Sequence, residues 1–176
     1  MSAVRASHDV RGDHCRESTT NIRRKAKVGI AATALVHGDY RLDNVIFSGT
    51  SPHVDAVIDW ELATLGIPLA DLGYYLLSWV VPVGPSGGAA LARDDLAELG
   101  IPILDAVTDR YFARTAFDRP EDFSYYFAYN LYRVAAILHG IGEREKHGNA
   151  SSTKASTVGQ LAGPAIDLAC HIGGVP

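Results

Sequence analysis

The chain changes texture at residue 35. Ahead of it, Arg, Ser and Thr mix with small residues and no hydrophobic period emerges, which predicts a disordered or non-homologous tail over residues 1–34. Beyond it, two short apolar runs, Asn44-Val45-Ile46-Phe47 and Ala56-Val57-Ile58, flank the turn-rich Ser48-Gly49-Thr50-Ser51-Pro52 and predict an antiparallel hairpin. From Pro68 the period becomes helical. Leu69, Leu72, Leu76, Trp79 and Val80 recur at helical spacing behind a proline suited to a first turn, and Pro82, Gly84, Pro85, Gly87 and Gly88 close that helix in a loop. A second stripe runs through Leu104, Val107, Tyr111 and Thr115. A third, Phe123, Phe127, Leu131, Val134, Leu138 and Ile141, follows the capping-box spacing of Asp118 and Glu121 and ends at Gly142. The last helix is expected over about 155–172, bent or broken at Gly163-Pro164.

Composition sharpens this picture by exclusion. The 176 residues suit one domain with a short tail, large enough for a core that needs no staples. The net charge of −4 divides unevenly: residues 1–34 carry seven Arg and Lys against three Asp and Glu, the remainder nine against seventeen. An acidic body argues against a surface that tracks nucleic-acid phosphates. Arg23, Arg24, Lys25 and Lys27 read as a solvated basic run. No apolar run is long enough to span a membrane, the N-terminus lacks a signal-peptide core, and Cys15 and Cys170 have no metal or redox spacing. A cytoplasmic chain is expected.

One segment carries chemistry. Val36-His37-Gly38-Asp39-Tyr40-Arg41-Leu42-Asp43-Asn44 leads straight into the first predicted strand, and fifteen residues past Asn44 the second strand ends in Asp59-Trp60-Glu61. Phosphoryl transfer needs such a set: one carboxylate to accept the proton of the attacking hydroxyl, an amide oxygen and a second carboxylate to hold Mg²⁺ against the phosphates. A hairpin brings Asn44 and Asp59 to one end, where hard oxygens suit Mg²⁺. Taken alone, Asp39, Asn44 and Asp59 read equally well as turn residues flanking a hairpin. A metal-dependent hydrolase built on His37 and Asp39 lacks a further ligand at workable spacing. Asp94, Asp95 and Glu98 read as a solvated helix face or a lure for a cationic substrate, and Tyr125, Tyr126, Phe127, Tyr129 and Tyr132 as core with one edge free for a cleft, where Asn130 or Arg133 would reach an acceptor.

The segment His37–Phe47 together with Ile58-Asp59-Trp60-Glu61 resembles the catalytic core of the aminoglycoside phosphotransferase family, relatives of the protein kinases. The stretch Gly66–Gly73 and the downstream Asp122–Arg133 make it most similar to the subgroup fused to, or encoded beside, acyl-CoA dehydrogenases. The resemblance implies an α+β, mostly helical fold: the C-terminal (large) lobe of a protein-kinase-like fold over residues 35–176, with a catalytic-loop β-hairpin. It implies ATP as co-substrate, Mg²⁺ as cofactor, and transfer of the γ-phosphoryl group to a hydroxyl of a small molecule, a hydroxyacyl compound or an aminoglycoside-like one. Asp39 corresponds to the catalytic base, Asn44 and Asp59 to the metal and nucleotide ligands, and Arg41 to a cation on the transferring phosphate. His37 would brace the loop, and Asp71 would hold its backbone. Residues 1–34 contain no glycine-rich loop or strand lysine, so an absent N-lobe and impaired activity are expected. A separate N-lobe or an acyl-CoA dehydrogenase would then be the partner. The competing expectation is a catalytically inert module that binds nucleotide or a partner.

Overall fold

The computed structural model describes residues 33–81, 91–92, 95–146 and 155–174. The expectations for residues 1–32, the loop at 82–90, Asp94 and the linker at 149–153 lie outside the described residues. The described residues fall into two compact units, one running up to Tyr126 and the other from Phe127 onward.

The first unit begins with four short strands: β1 (Ala34–Val36), β2 (Val45–Phe47), β3 (Val54–Val57) and β4 (Thr64–Gly66). β2 and β3 form the antiparallel hairpin that the apolar runs predict, with Val45 opposite Val57 and a bulge between Ile46 and Phe47. β1 pairs antiparallel with β4, Leu35 opposite Leu65. The hairpin is thus nested inside the β1–β4 pair. That nesting brings the two connecting segments, His37–Asn44 and Ile58–Ala63, to the same junction. Alternation within β1 is sharp: Val36 is buried while Leu35 is 62% exposed, beside Leu65 at 75%.

Helix α1 (Leu69–Val80) follows directly, with Pro68 in helical backbone just ahead of it. Its buried residues are Leu69, Leu72, Gly73, Leu76 and Leu77; Trp79 is half-buried and donates its indole N–H to the Pro102 carbonyl at 2.9 Å. Helix α2 (Leu104–Arg114) buries Thr108, whose hydroxyl donates to the Leu104 carbonyl one turn back. Its rings continue into an aromatic series, Tyr111 on Phe112 and Phe112 on Phe123 edge to face, then Phe123 tilted against Tyr126.

Helix α3 (Ser124–Lys146) begins later than the Asp118/Glu121 spacing predicts. Asp122 is the residue that ties down its start, accepting from the backbone N–H and the hydroxyl of Ser124, both at 2.8 Å. In the second unit the tightest burial on α3 falls on Ala128, Asn130, Leu131 and Ala135, with Phe127, Val134, Leu138 and Ile141 only half-buried. Two of these four are alanines, small residues that let the helix pack closely. The same device recurs where α3 meets α4 (Ala155–Gly159): a Cβ on Gly159 would lie 2.7 Å from the Gly142 Cα. The chain breaks at 160–161, ahead of α5 (Ala162–Ile172), and Gly163-Pro164 sits inside the first turn of α5. There the missing proline N–H costs no helical hydrogen bond.

Burial raises the phenols of Tyr75, Tyr111 and Tyr126 above the ordinary 10.0, with further contributions from Tyr40, Asp71 and Tyr125 respectively. A raised pKa keeps the proton on the folded form after the unfolded form has lost it. The stability these phenols contribute is therefore complete below pH 10 and lost as pH climbs through the folded values. Unfolding midpoints in urea should fall above pH 10, and Phe substituted at positions 75, 111 and 126 should flatten that fall.

Candidate active site

β1 ends at Val36, and the next two backbone N–H groups, of His37 and Gly38, turn away from any strand partner. Both donate to one carboxylate. Asp71, in the first turn of α1, accepts from His37 N at 2.6 Å through Oδ2 and from Gly38 N at 2.9 Å through Oδ1. Bonds to a carboxylate are about twice as strong as neutral ones, so this pair clamps the loop to the helix.

Gly38 is required by conformation and by space. Its φ is +84°, and a Cβ there would lie 2.7 Å from the Leu62 carbonyl oxygen. The backbone after β1 therefore touches the backbone after β3.

His37, 2% exposed, completes the connection. Its Nε2 lies 2.8 Å from the Ile58 carbonyl, and its Nδ1 lies 3.2 Å from the Asp39 N–H. A carbonyl can only accept and a backbone N–H can only donate, so the partners assign the proton to Nε2. The ring also lies 4.6 Å from Trp60. The loop-bracing role expected for His37 is what these contacts perform.

Asp39 is half-buried at the centre of this frame. Asn44, 8% exposed, donates through Nδ2 to the Asp39 backbone carbonyl at 2.9 Å and to its carboxylate Oδ2 at 3.0 Å. The amide N–H is thereby committed to Asp39, which leaves Oδ1 as the amide's accepting atom. Asn44 also accepts from the Ile58 N–H through its own carbonyl, at 2.9 Å. Asp59 is the next residue along. It has φ +66° and ψ +52°, the one non-glycine residue with positive φ among those described, and opens the 3₁₀ turn Trp60–Leu62. Asp tolerates this conformation better than most side chains.

Arg41 and Asp43 form an ion pair with both side chains largely exposed. Burial lowers the Arg41 pKa, but the hydrogen bond and charge of Asp43, with Tyr74 and Asp39 nearby, outweigh it and leave it raised. Asp43 is thus a largely solvated partner for Arg41. Glu61 is exposed in the 3₁₀ turn, as is Glu98 in the turn at 95–100, with Asp95 half-buried beside it. Sequence patterning had no means of finding the Gly38–Leu62 contact or the ring series Tyr40–Tyr75–Trp79, with centroids 5.8 and 5.5 Å apart. Only the glycine between His37 and Asp39 hinted at the first.

The phosphotransferase enzyme family model matches residues 16–110, more than half the chain, and includes every residue of this site. The chain belongs to the phosphotransferase enzyme family. Its match begins at residue 16, inside the segment expected to be a tail. The phosphotransferase chain is 39% identical over 137 residues to mouse acyl-CoA dehydrogenase family member 10, covering 78% of this chain and 13% of that protein. It is 33% identical over 142 residues to rat acyl-CoA dehydrogenase family member 11, covering 76% and 18%. A solved structure assigned to the aminoglycoside phosphotransferases, from Ralstonia eutropha JMP134, superimposes with a TM-score of 0.73 at 34% identity, over 93% of this chain and 55% of that one. The phosphotransferase chain therefore spans less than a fifth of those curated relatives and about half of the solved one.

Two substitutions test the frame. Asp71→Ala removes a charged acceptor from two backbone donors and should cost about 3 kcal/mol in urea unfolding. Gly38→Ala combines positive φ with backbone overlap and should cost at least ~2 kcal/mol, read as a lowered thermal midpoint.

Proposed function

We propose that this chain supplies the catalytic half of an ATP-dependent small-molecule kinase that phosphorylates a hydroxyl group. The observation that carries it is the Asn44 side chain, which holds the Asp39 carboxylate at 3.0 Å while keeping its own Oδ1 available. Asp39 accepts the proton of the acceptor hydroxyl as the nucleophile forms. Asn44 fixes that carboxylate, and His37 fixes the backbone N–H beside it. Arg41 meets the negative charge of the transferring phosphate.

The donor set fits Mg²⁺. Asn44 Oδ1 and the exposed Asp59 carboxylate are hard oxygens on adjacent backbone, and no cluster of three His, Cys, Asp or Glu ligands exists among the described residues. Mg²⁺ takes one or two protein carboxylates and completes its shell with phosphates and water. When bound, it would neutralise charge on the phosphates. Among the described residues no helix is long and apolar enough to cross a membrane. The acyl-CoA dehydrogenase relatives favour a hydroxyacyl compound over an aminoglycoside, and make such a dehydrogenase, or a separate N-lobe, the partner to look for.

In the full-length protein, Asp39→Ala should lower kcat by on the order of 10²–10⁴-fold while ATP binding and the thermal midpoint stay put. Unchanged kcat would reject the role. Binding of Mg·ATP by the unaltered protein with no turnover on any hydroxy acid or aminoglycoside would favour an inert nucleotide-binding module.

A further inference from the structure

The catalytic loop contains a carboxylate that the proposed chemistry does not use. Arg41 has extended backbone, φ −147° and ψ 162°, and the 3₁₀ turn Leu42–Asn44 follows it at once. The Asn44 N–H closes that turn onto the Arg41 carbonyl at 3.0 Å. This local fold carries the side chain of Asp43 back to the Arg41 guanidinium, and the two form an ion pair within the loop. The pair has water on most sides: the side chains are 52% and 71% exposed. Arg41 also feels the charge of Asp39, so its guanidinium lies in the field of the candidate base.

We propose that Asp43 is a resident stand-in for phosphate. It holds Arg41 beside the catalytic carboxylate when no nucleotide is bound, and a triphosphate must displace it. Asp43 is thus a positioning residue that sets nucleotide affinity. A guanidinium presents a planar fork that suits carboxylate and phosphate oxygens alike, so the two anions compete for the same donors. An exposed pair is weak, which makes displacement easy and the expected effect small. The same weakness lets Asp43 keep Arg41 near the site without locking it there. This inference rests on the phosphotransferase reading of Asp39, Arg41 and Asn44.

The test is calorimetric titration of the full-length protein with the magnesium complex of adenylyl imidodiphosphate, a non-hydrolysable ATP analogue, and with adenosine. Asp43→Asn should tighten the triphosphate analogue about two- to five-fold, the range an exposed ion pair allows, and leave adenosine unchanged. The gain should be smaller when Arg41→Gln is also present, because no donor is then left to release. A gain equal or larger in the Arg41→Gln background means that Asp43 acts only through its charge on the phosphates, and overturns the proposal. So does no gain, or an equal gain for adenosine. Asp43→Ser carries the same test if the Asn variant unfolds. Failure of the unaltered protein to take up the analogue would remove the nucleotide site itself; uptake without the Asp43 effect would remove only this inference.

Discussion

When a strand ends and the chain turns sharply, the backbone N–H groups at the corner lose their ladder partners and must find others or pay several kilocalories. At the corner after Val36 a single carboxylate, Asp71, satisfies two of them at once. Everything at the site is referenced to that contact. It fixes His37, whose ring spans from the Ile58 carbonyl to the Asp39 N–H, and it fixes Gly38, whose missing side chain lets Leu62 approach. The loop His37–Asn44 and the segment carrying Asp59 are therefore one mechanical piece, anchored to the first turn of α1.

That anchoring has a chemical consequence. A carboxylate that is to accept a proton in a transition state must be held before the substrate arrives, since orienting it during the reaction would add to the barrier. Asp39 is held from two directions, by backbone contact through His37 and by the Asn44 amide. Asp59, by contrast, is held by its backbone alone, in a left-handed conformation at the mouth of a 3₁₀ turn. Backbone in that region is uncommon outside glycine and is sustained by its surroundings, here the Ile58 N–H bonded to Asn44 and the Trp60 indole bonded to Val57. The nested pairing of β2–β3 inside β1–β4 supplies those surroundings.

Legibility in the sequence followed the range of the interaction. The β2–β3 hairpin and the α1 stripe of Leu69, Leu72 and Leu76 were plain, because both depend on neighbours within a few positions. The start of α3 was misplaced. A capping-box spacing at Asp118 and Glu121 competed with Asp122, and the aromatic packing of Phe123 on Phe112 and Tyr126 accompanies the later start. Of the large stripe, Leu131 is the member that is fully buried, beside Ala128, Asn130 and Ala135, since periodicity weighs large side chains while close approach of backbones needs small ones. The pairing of Arg41 with Asp43 depends on the rotation of a single 3₁₀ turn, which residue types do not specify.

Residue order by itself determined which chemistry was on offer: the carboxylates, the amide and the guanidinium stand at spacings that a loop, a hairpin and a helix start bring to hand, and hydrophobic period marks those elements out. Tertiary structure decided what each group touches. Two carboxylates of the same type, Asp39 and Asp71, differ only in what surrounds them: the first is half-buried and accepts from the Asn44 amide, the second accepts from backbone donors 33 and 34 residues away. Contacts over such separations are set by how strands nest and helices dock, and no local preference encodes them.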